Sequence, residues 1–150
     1  MLGPVGATRI PAFSPQELLG ARTRRGWSQG RLAAALEVSV NTVGGWERGE
    51  RTPGPPVFLA MARELQVDPA LLLSVPRGLW TLLELRAVAG LHQAAAAKEL
   101  NINPTTLSHI ELAYAQIPDD RLEHFARVYR STSNEITRCW KRTRTRLLQQ

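Results

Sequence analysis

Few residues in this chain are placed to do catalytic or metal chemistry. Cys139 is its only cysteine, so it can form neither an intramolecular disulfide nor a cysteine-based zinc site. His92, His109 and His124 lack a ligand spacing such as H-x-x-x-H. There is no nucleophile paired with a base by motif, and no phosphate-cradling glycine loop. These absences weigh against an enzyme, a metal site or a cofactor, and no small-molecule ligand is evident. What remains is charge. The formal net charge is +6, which points to a polyanionic partner. Ser14–Val75 carries seven basic and six acidic side chains, and Leu79–Ser131 five and six. Thr132–Gln150 holds Arg138, Lys141, Arg142, Arg144 and Arg146 against Glu135 alone, so much of the excess lies at the C-terminal end.

The elements that must position these groups repeat. Sliding the chain by 64 residues places Leu18 on Leu82, Arg22 on Arg86, Gly26 on Gly90, Gln29 on Gln93, Ala33 on Ala97, Leu36 on Leu100, Thr42 on Thr106 and Glu47 on Glu111, without a gap. Apolar exchanges follow: Val38 with Ile102, Val43 with Leu107, Trp46 with Ile110. Two copies of one helical domain are expected. In the first, Ser14-Pro15-Gln16-Glu17 reads as a capping box opening a helix to about Arg25. Ser28 caps a helix over Gln29–Leu36 with Leu32, Ala33 and Leu36 on one face. Ser39 caps a third to Arg48, stopped by Gly49. Arg51–Pro56 reads as a loop, a fourth helix spans about Val57–Leu65 with Leu59, Ala62 and Leu65 facing inward, and a short fifth begins near Asp68-Pro69.

The second copy is expected to form helices at about Thr81–Ala89, His92–Leu100, Pro104–Leu112 and Asp119–Tyr129, and a last helix from about Ser133 toward Leu148. That helix carries Ile136, Trp140 and Leu147 as an apolar stripe. The organisation expected is therefore a disordered arm over 1–13, a first domain over 14–75, a linker over 76–78, a degenerate second domain over 79–137 and a basic helical extension over 138–150. Met1–Phe13 lacks a secretory signal pattern, and no apolar run approaches the ~20 residues of a membrane span. A soluble cytoplasmic protein without a membrane partner is expected.

Two helices joined by a tight turn form a helix-turn-helix. The series Arg22, Gln29, Ala33, Val38-Ser39, Thr42-Val43 and Trp46-Glu47-Arg48-Gly49 resembles the Cro and phage-repressor family, also called the xenobiotic response element family, over about Glu17–Leu73. The second copy keeps Arg86, Gln93, Ala97, Ile102, Thr106, Leu107, Ile110 and Glu111 but has Leu112-Ala113 for Arg48-Gly49. The resemblance implies an all-α fold of two tandem five-helix lambda-repressor-like domains with an extended basic C-terminal helix. It implies a structural ion pair between Arg22 and Glu47, kept as Arg86 and Glu111. It also implies that the third helix enters the major groove of double-stranded DNA. The matching positions are Ser39, Val40, Asn41, Thr42, Gly44 and Gly45, with Gln29 beside them. Asn41 suits adenine and Val40 a thymine methyl. The glycine pair departs from the family pattern by removing a polar base reader, and each glycine costs about 1 kcal/mol of helix stability relative to alanine. In the second copy Gln93, Thr105, Thr106, Ser108 and His109 stand at equivalent places.

Several residues keep two readings. Asn41, Thr42 and Gln29 are either DNA contacts or a solvated face, and Arg48 and Arg51 either phosphate holders or ordinary surface charge. His109 is either a reader or idle. Trp46 reads as core, and Trp27 and Trp80 as packing residues. The C-terminal helix grips phosphates, pairs subunits through Ile136, Trp140 and Leu147, or covers the second copy, and the favoured reading is a mixture in which the apolar stripe packs on protein and the arginines face DNA. The function expected is a transcription regulator of prokaryotic or phage type, a repressor, with a homodimer as a further expectation. The alternative is an antitoxin-like or adaptor-like protein-interaction module on the same fold.

Overall fold

The computed structural model describes Ile10 and Ala12–Gln150. Helix α1 spans Pro15–Arg24, α2 Gln29–Leu36, α3 Val40–Glu47 and α4 Pro55–Leu65, followed by a one-turn 3-10 helix over Pro69–Leu72. A second such turn, Arg77–Leu79, leads into α5 Leu82–Val88, α6 Gln93–Leu100 and α7 Pro104–Glu111. A third, Asp119–Arg121, precedes α8 Leu122–Val128, and α9 runs over Ser133–Leu148. No helix among the described residues is long and apolar enough to cross a membrane.

Capping side chains fix where these helices begin. Ser28 Oγ accepts from the Arg31 amide and Ser39 Oγ from the Thr42 amide, each at 3.1 Å. Asn103 Oδ1 accepts from Thr105 N at 2.7 Å, and Thr132 Oγ1 from Glu135 N at 3.2 Å. Each such cap stabilises its helix by about 1 kcal/mol. Thr81 and Glu84 close a reciprocal capping box, with the Thr81 amide donating to Glu84 Oε2 at 2.7 Å. The helix ends repeat as well. Positive φ occurs at Gly26, Glu37, Gly49 and Gln66, and again 64 residues later at Gly90, Asn101, Ala113 and Arg130. α2 and α6, and likewise α3 and α7, occupy matching spans at that same offset.

The structure departs from the sequence expectations in several places. Ile10, Ala12 and Phe13 are buried rather than part of a disordered arm. The Ser74 amide donates to Ala12 O at 2.7 Å and the Ser14 amide to Leu72 O at 2.9 Å, which seats Phe13 against Leu73 and edge-on to Phe58. Residues 1–9 and 11 of that arm lie outside the described residues. α4 begins at Pro55, because two prolines fit the first turn of a helix, where no amide is needed. Its inward residues are Phe58, Met61, Ala62 and Leu65, with Leu59 only half-buried. The expected helix over Asp119–Tyr129 opens as a 3-10 turn and becomes α-helical at Leu122.

One core runs through both halves. Leu18, Leu32, Val43, Phe58 and Leu72 are sealed in the first, and Leu82, Leu85, Leu100, Leu107, Phe125 and Ile136 in the second. α4 packs against α5 across the junction. Gly90 sits there with φ +74, which favours glycine, and a Cβ on it would come within 2.7 Å of Leu59 Cδ2 and push that side chain aside. α9 covers the second half, packing on α5, α7 and α8. Of its expected stripe Ile136 is buried while Trp140 and Leu147 are half-buried, and Cys139 joins Ile136 in the interior. Burial pushes the Cys139 thiol up to about 11, against the pull of nearby Arg142. The basic residues of α9 divide. Arg138, Lys141 and Arg146 are exposed and form no ion pair among the described residues. Arg142 donates to Trp80 O and Arg144 Nη1 to Ala113 O at 3.0 Å, so these two hold protein.

Candidate nucleic-acid interface

The interface begins from a buried brace. Arg22 Nε and Nη2 donate to Glu47 Oε2 and Oε1 at 2.6 and 2.8 Å, and Arg22 Nη1 donates to Trp27 O at 2.8 Å. Gln29 Nε2 adds a bond to Glu47 Oε1 at 3.0 Å. Three segments are thereby tied together: α1, the turn before α2, and the last residue of α3. Burial alone would raise the pKa of Glu47. The hydrogen bonds from Arg22 and Gln29 outweigh it and hold the carboxyl below the ordinary glutamate value. The same hydrogen bond raises Arg22. Val43 and Trp46 anchor the inner side of α3.

With its inner side and its end fixed, α3 turns its N-terminal residues outward. Val40 is half exposed and Asn41 is exposed. Thr42 is half-buried, with its hydroxyl 2.8 Å from Ser39 Oγ, so the cap and the first turn share one hydrogen-bonded pair. A Cβ on Gly30 would lie 4.0 Å from Val40 Cγ2, which places the start of α2 beside the start of α3. Gln29 is half-buried and its amide nitrogen donates to Glu47. Gly44 and Gly45 are not bare. The Arg48 guanidinium lies over Gly44 and the Arg51 side chain along Gly45, which is why both glycines are buried. Arg48 also pairs with Glu50, from Nε to Oε1 at 2.9 Å and from Nη2 to Oε2 at 3.2 Å.

Residues 20–72 match the family model described as Helix-turn-helix. This stretch of the chain is a helix-turn-helix domain. The match takes in the brace, α2, α3 and α4, while α5–α9 lie beyond it. Neither the curated proteins nor the solved structures contain a significant match to the chain.

Beyond the helix-turn-helix domain the second half repeats the brace and changes the surface. Arg86 Nε donates to Glu111 Oε2 at 2.8 Å, Arg86 Nη1 to Leu91 O at 3.0 Å and Gln93 Nε2 to Glu111 Oε1 at 2.8 Å. Tyr129, standing where the helix-turn-helix domain has Leu65, donates its hydroxyl to Glu111 Oε2 at 2.8 Å. Burial, then the Glu111 carboxylate, raise that phenol well above its ordinary value. Gln93 and Ser108, expected at the surface as readers, are both buried and leave the set of available contacts. Gln93 is drawn in by Glu111, and Ser108 is closed over by packing around the end of α7. Thr105, Thr106 and His109 are exposed, with the His109 ring edge-on to Tyr114 at 6.3 Å.

Two features had no clear signal in the sequence. Trp27 is flanked by Arg31 at 4.7 Å and Arg25 at 5.3 Å, a cation–π arrangement that holds two more positive charges beside the start of α2. Their spacing around one tryptophan was the only hint. The other is the junction between the halves. A Cβ on Gly54 would meet His92 Cε1 at 2.9 Å, so the loop after α3 touches the N-cap of α6. The loop after one third helix thus abuts the start of the second helix of the other half.

Proposed function

We propose that this protein is a sequence-specific, double-stranded-DNA-binding transcription regulator of repressor type, with two copies of one five-helix domain in tandem. The first comprises α1–α4 and the turn Pro69–Leu72; the second comprises α5–α8 and α9, whose C-terminal part is a basic extension. The recurrence of the left-handed positions and of the brace at one offset supports the repeat. The observation that carries the DNA reading is the outward N-terminal face of α3, braced from behind and flanked by Arg31, Arg48 and Arg51.

In this reading α3 enters the major groove. Asn41 pairs with an adenine edge and Val40 meets a thymine methyl. The uncapped amides at the starts of α2 and α3, at Gln29, Gly30, Val40 and Asn41, hold phosphate, beside the Ser39–Thr42 hydroxyl pair. Gly45, expected among the contacts, is buried beneath the Arg51 side chain and leaves that side chain to face the DNA. Thr105, Thr106 and His109 form a weaker second head on α7. The first experiment is selection from a randomised duplex pool with the intact protein, followed by salt titration. A defined site whose affinity falls steeply with salt is expected. Failure to enrich any site, with weak binding at low salt, would sink the proposal.

A second reading is favoured by one feature. The tract after α7 exposes Leu112 and Tyr114 where the tract after α3 has Arg48 and Glu50. If the second half holds a protein rather than DNA, as in an antitoxin, an adaptor or a pairing of subunits, the selected site has one part per chain, and substituting Thr105 and Thr106 leaves it unchanged.

A further inference from the structure

The paired glycines of α3 look like a loss of readers, but the side chains around them say otherwise. Arg48 follows Gly44 by one helical turn and lies back across it. A Cβ at position 44 would come 2.7 Å from Arg48 Nη1, so any larger residue there would push the guanidinium off that seat. Glu50 fixes the arm from its far side by taking Nε and Nη2 at 2.9 and 3.2 Å. A guanidinium has five N–H donors. Two are spent on Glu50, and the remaining N–H groups of Nη1 and Nη2 have no partner among the described residues.

The pairing also argues against a phosphate role. Glu50 offsets the charge of Arg48 locally, which weakens a phosphate clamp, and occupies its Nε–Nη2 edge, which leaves the end-on donors for a directional bond. Arg51 is the contrast. Its side chain runs along Gly45, where an added Cβ would lie 3.2 Å from Arg51 Cδ, and among the described residues it makes no ion pair.

Resting on the DNA-binding reading above, we propose that Gly44, Arg48 and Glu50 form a guanine-reading unit. Arg48 donates end-on to the O6 and N7 edge of one guanine, Glu50 positions it, and Gly44 makes room for it. Arg51 serves the phosphate backbone.

The test uses the intact protein and the site it selects, with R48A, G44A and R51A compared on that site and on its single-base variants across a salt series. R48A is expected to lose discrimination at one guanine by roughly five- to a hundred-fold, with an unchanged salt slope. G44A is expected to lose discrimination at the same base pair while melting no lower than the parent, since alanine favours helix. R51A is expected to weaken all sites equally and to reduce the salt slope by about 1. A parent that selects a site while R48A keeps its base preference and lowers the salt slope overturns the guanine unit and leaves the DNA reading standing. G44A with full preference at that guanine also overturns it. A parent that selects no site overturns the DNA reading itself.

Discussion

The tract after α3, Arg48-Gly49-Glu50-Arg51, and the tract after α7, Leu112-Ala113-Tyr114-Ala115, leave their helices with the same backbone turn and opposite surfaces. The first turns through Gly49 at φ 74, which costs glycine little, and leaves its charged side chains in the open. The second turns through Ala113 at φ 62, a conformation that crowds any Cβ, and exposes Leu112 and Tyr114. α9 props it up: Arg144 donates to Ala113 O and Trp140 Nε1 to Ala115 O, each at 3.0 Å. A scaffold can therefore keep its brace and its helix lengths while the rim of its outward face changes chemistry.

The braces offer the largest test of this comparison. Glu111→Ala removes the partner of Arg86, Gln93 and Tyr129 together, and is expected to cost about 3–5 kcal/mol in urea unfolding. Glu47→Ala is expected to cost less, because its pair is more exposed, at 10% and 5% against 5% and 1%, and no tyrosine joins it. An equal or larger loss at Glu47 would mean that the second half is not the more tightly locked copy.

Exchanging the turn residues should give a smaller effect of opposite sign in the two halves. Ala113→Gly is expected to stabilise by about 1 kcal/mol and Gly49→Ala to destabilise by a similar amount, read as shifts in thermal midpoint. If Ala113→Gly were neutral, the support from α9 would already relieve the turn.

The smallest effect is in acid. The carboxyl of Glu47 is held below its ordinary value in the folded state. Its stabilising contribution is therefore complete above the unfolded value of about 4.3 and is lost as pH falls through the lowered folded one. Unfolding free energies at successive pH values below about 4.3 should fall more steeply for the parent than for Glu47→Gln. Parallel curves would assign the acid sensitivity elsewhere.

Much of the framework was legible because it is local. Ser28 and Ser39 mark the starts of α2 and α3 by the cap they form three residues on, and the 64-residue offset pairs the two halves by residue type alone. Arg22 with Glu47, and Arg86 with Glu111, came from the family resemblance and form as expected. The misses are non-local. Nothing near Phe13 in sequence announces its pairing with Leu73. Gln93 matches Gln29 in type, yet the tyrosine hydroxyl and tighter packing around Glu111 draw it fully inside. Gly44 and Gly45 read as gaps because the arginines that cover them arrive from beyond the helix end. Arg142 and Arg144 look like free charge in a basic tail, and only the folded chain places backbone carbonyls within their reach.

The joint between the halves has a consequence for any DNA site the chain occupies. Leu59 is wedged over Gly90 and His92 over Gly54, so the two faces are mounted on one casting rather than strung on a tether. On a duplex that turns once every ~10–10.5 base pairs, such a casting acts as a gauge. On the proposed reading it measures one spacing between its two contacts, and a single inserted base pair would rotate the second contact out of reach.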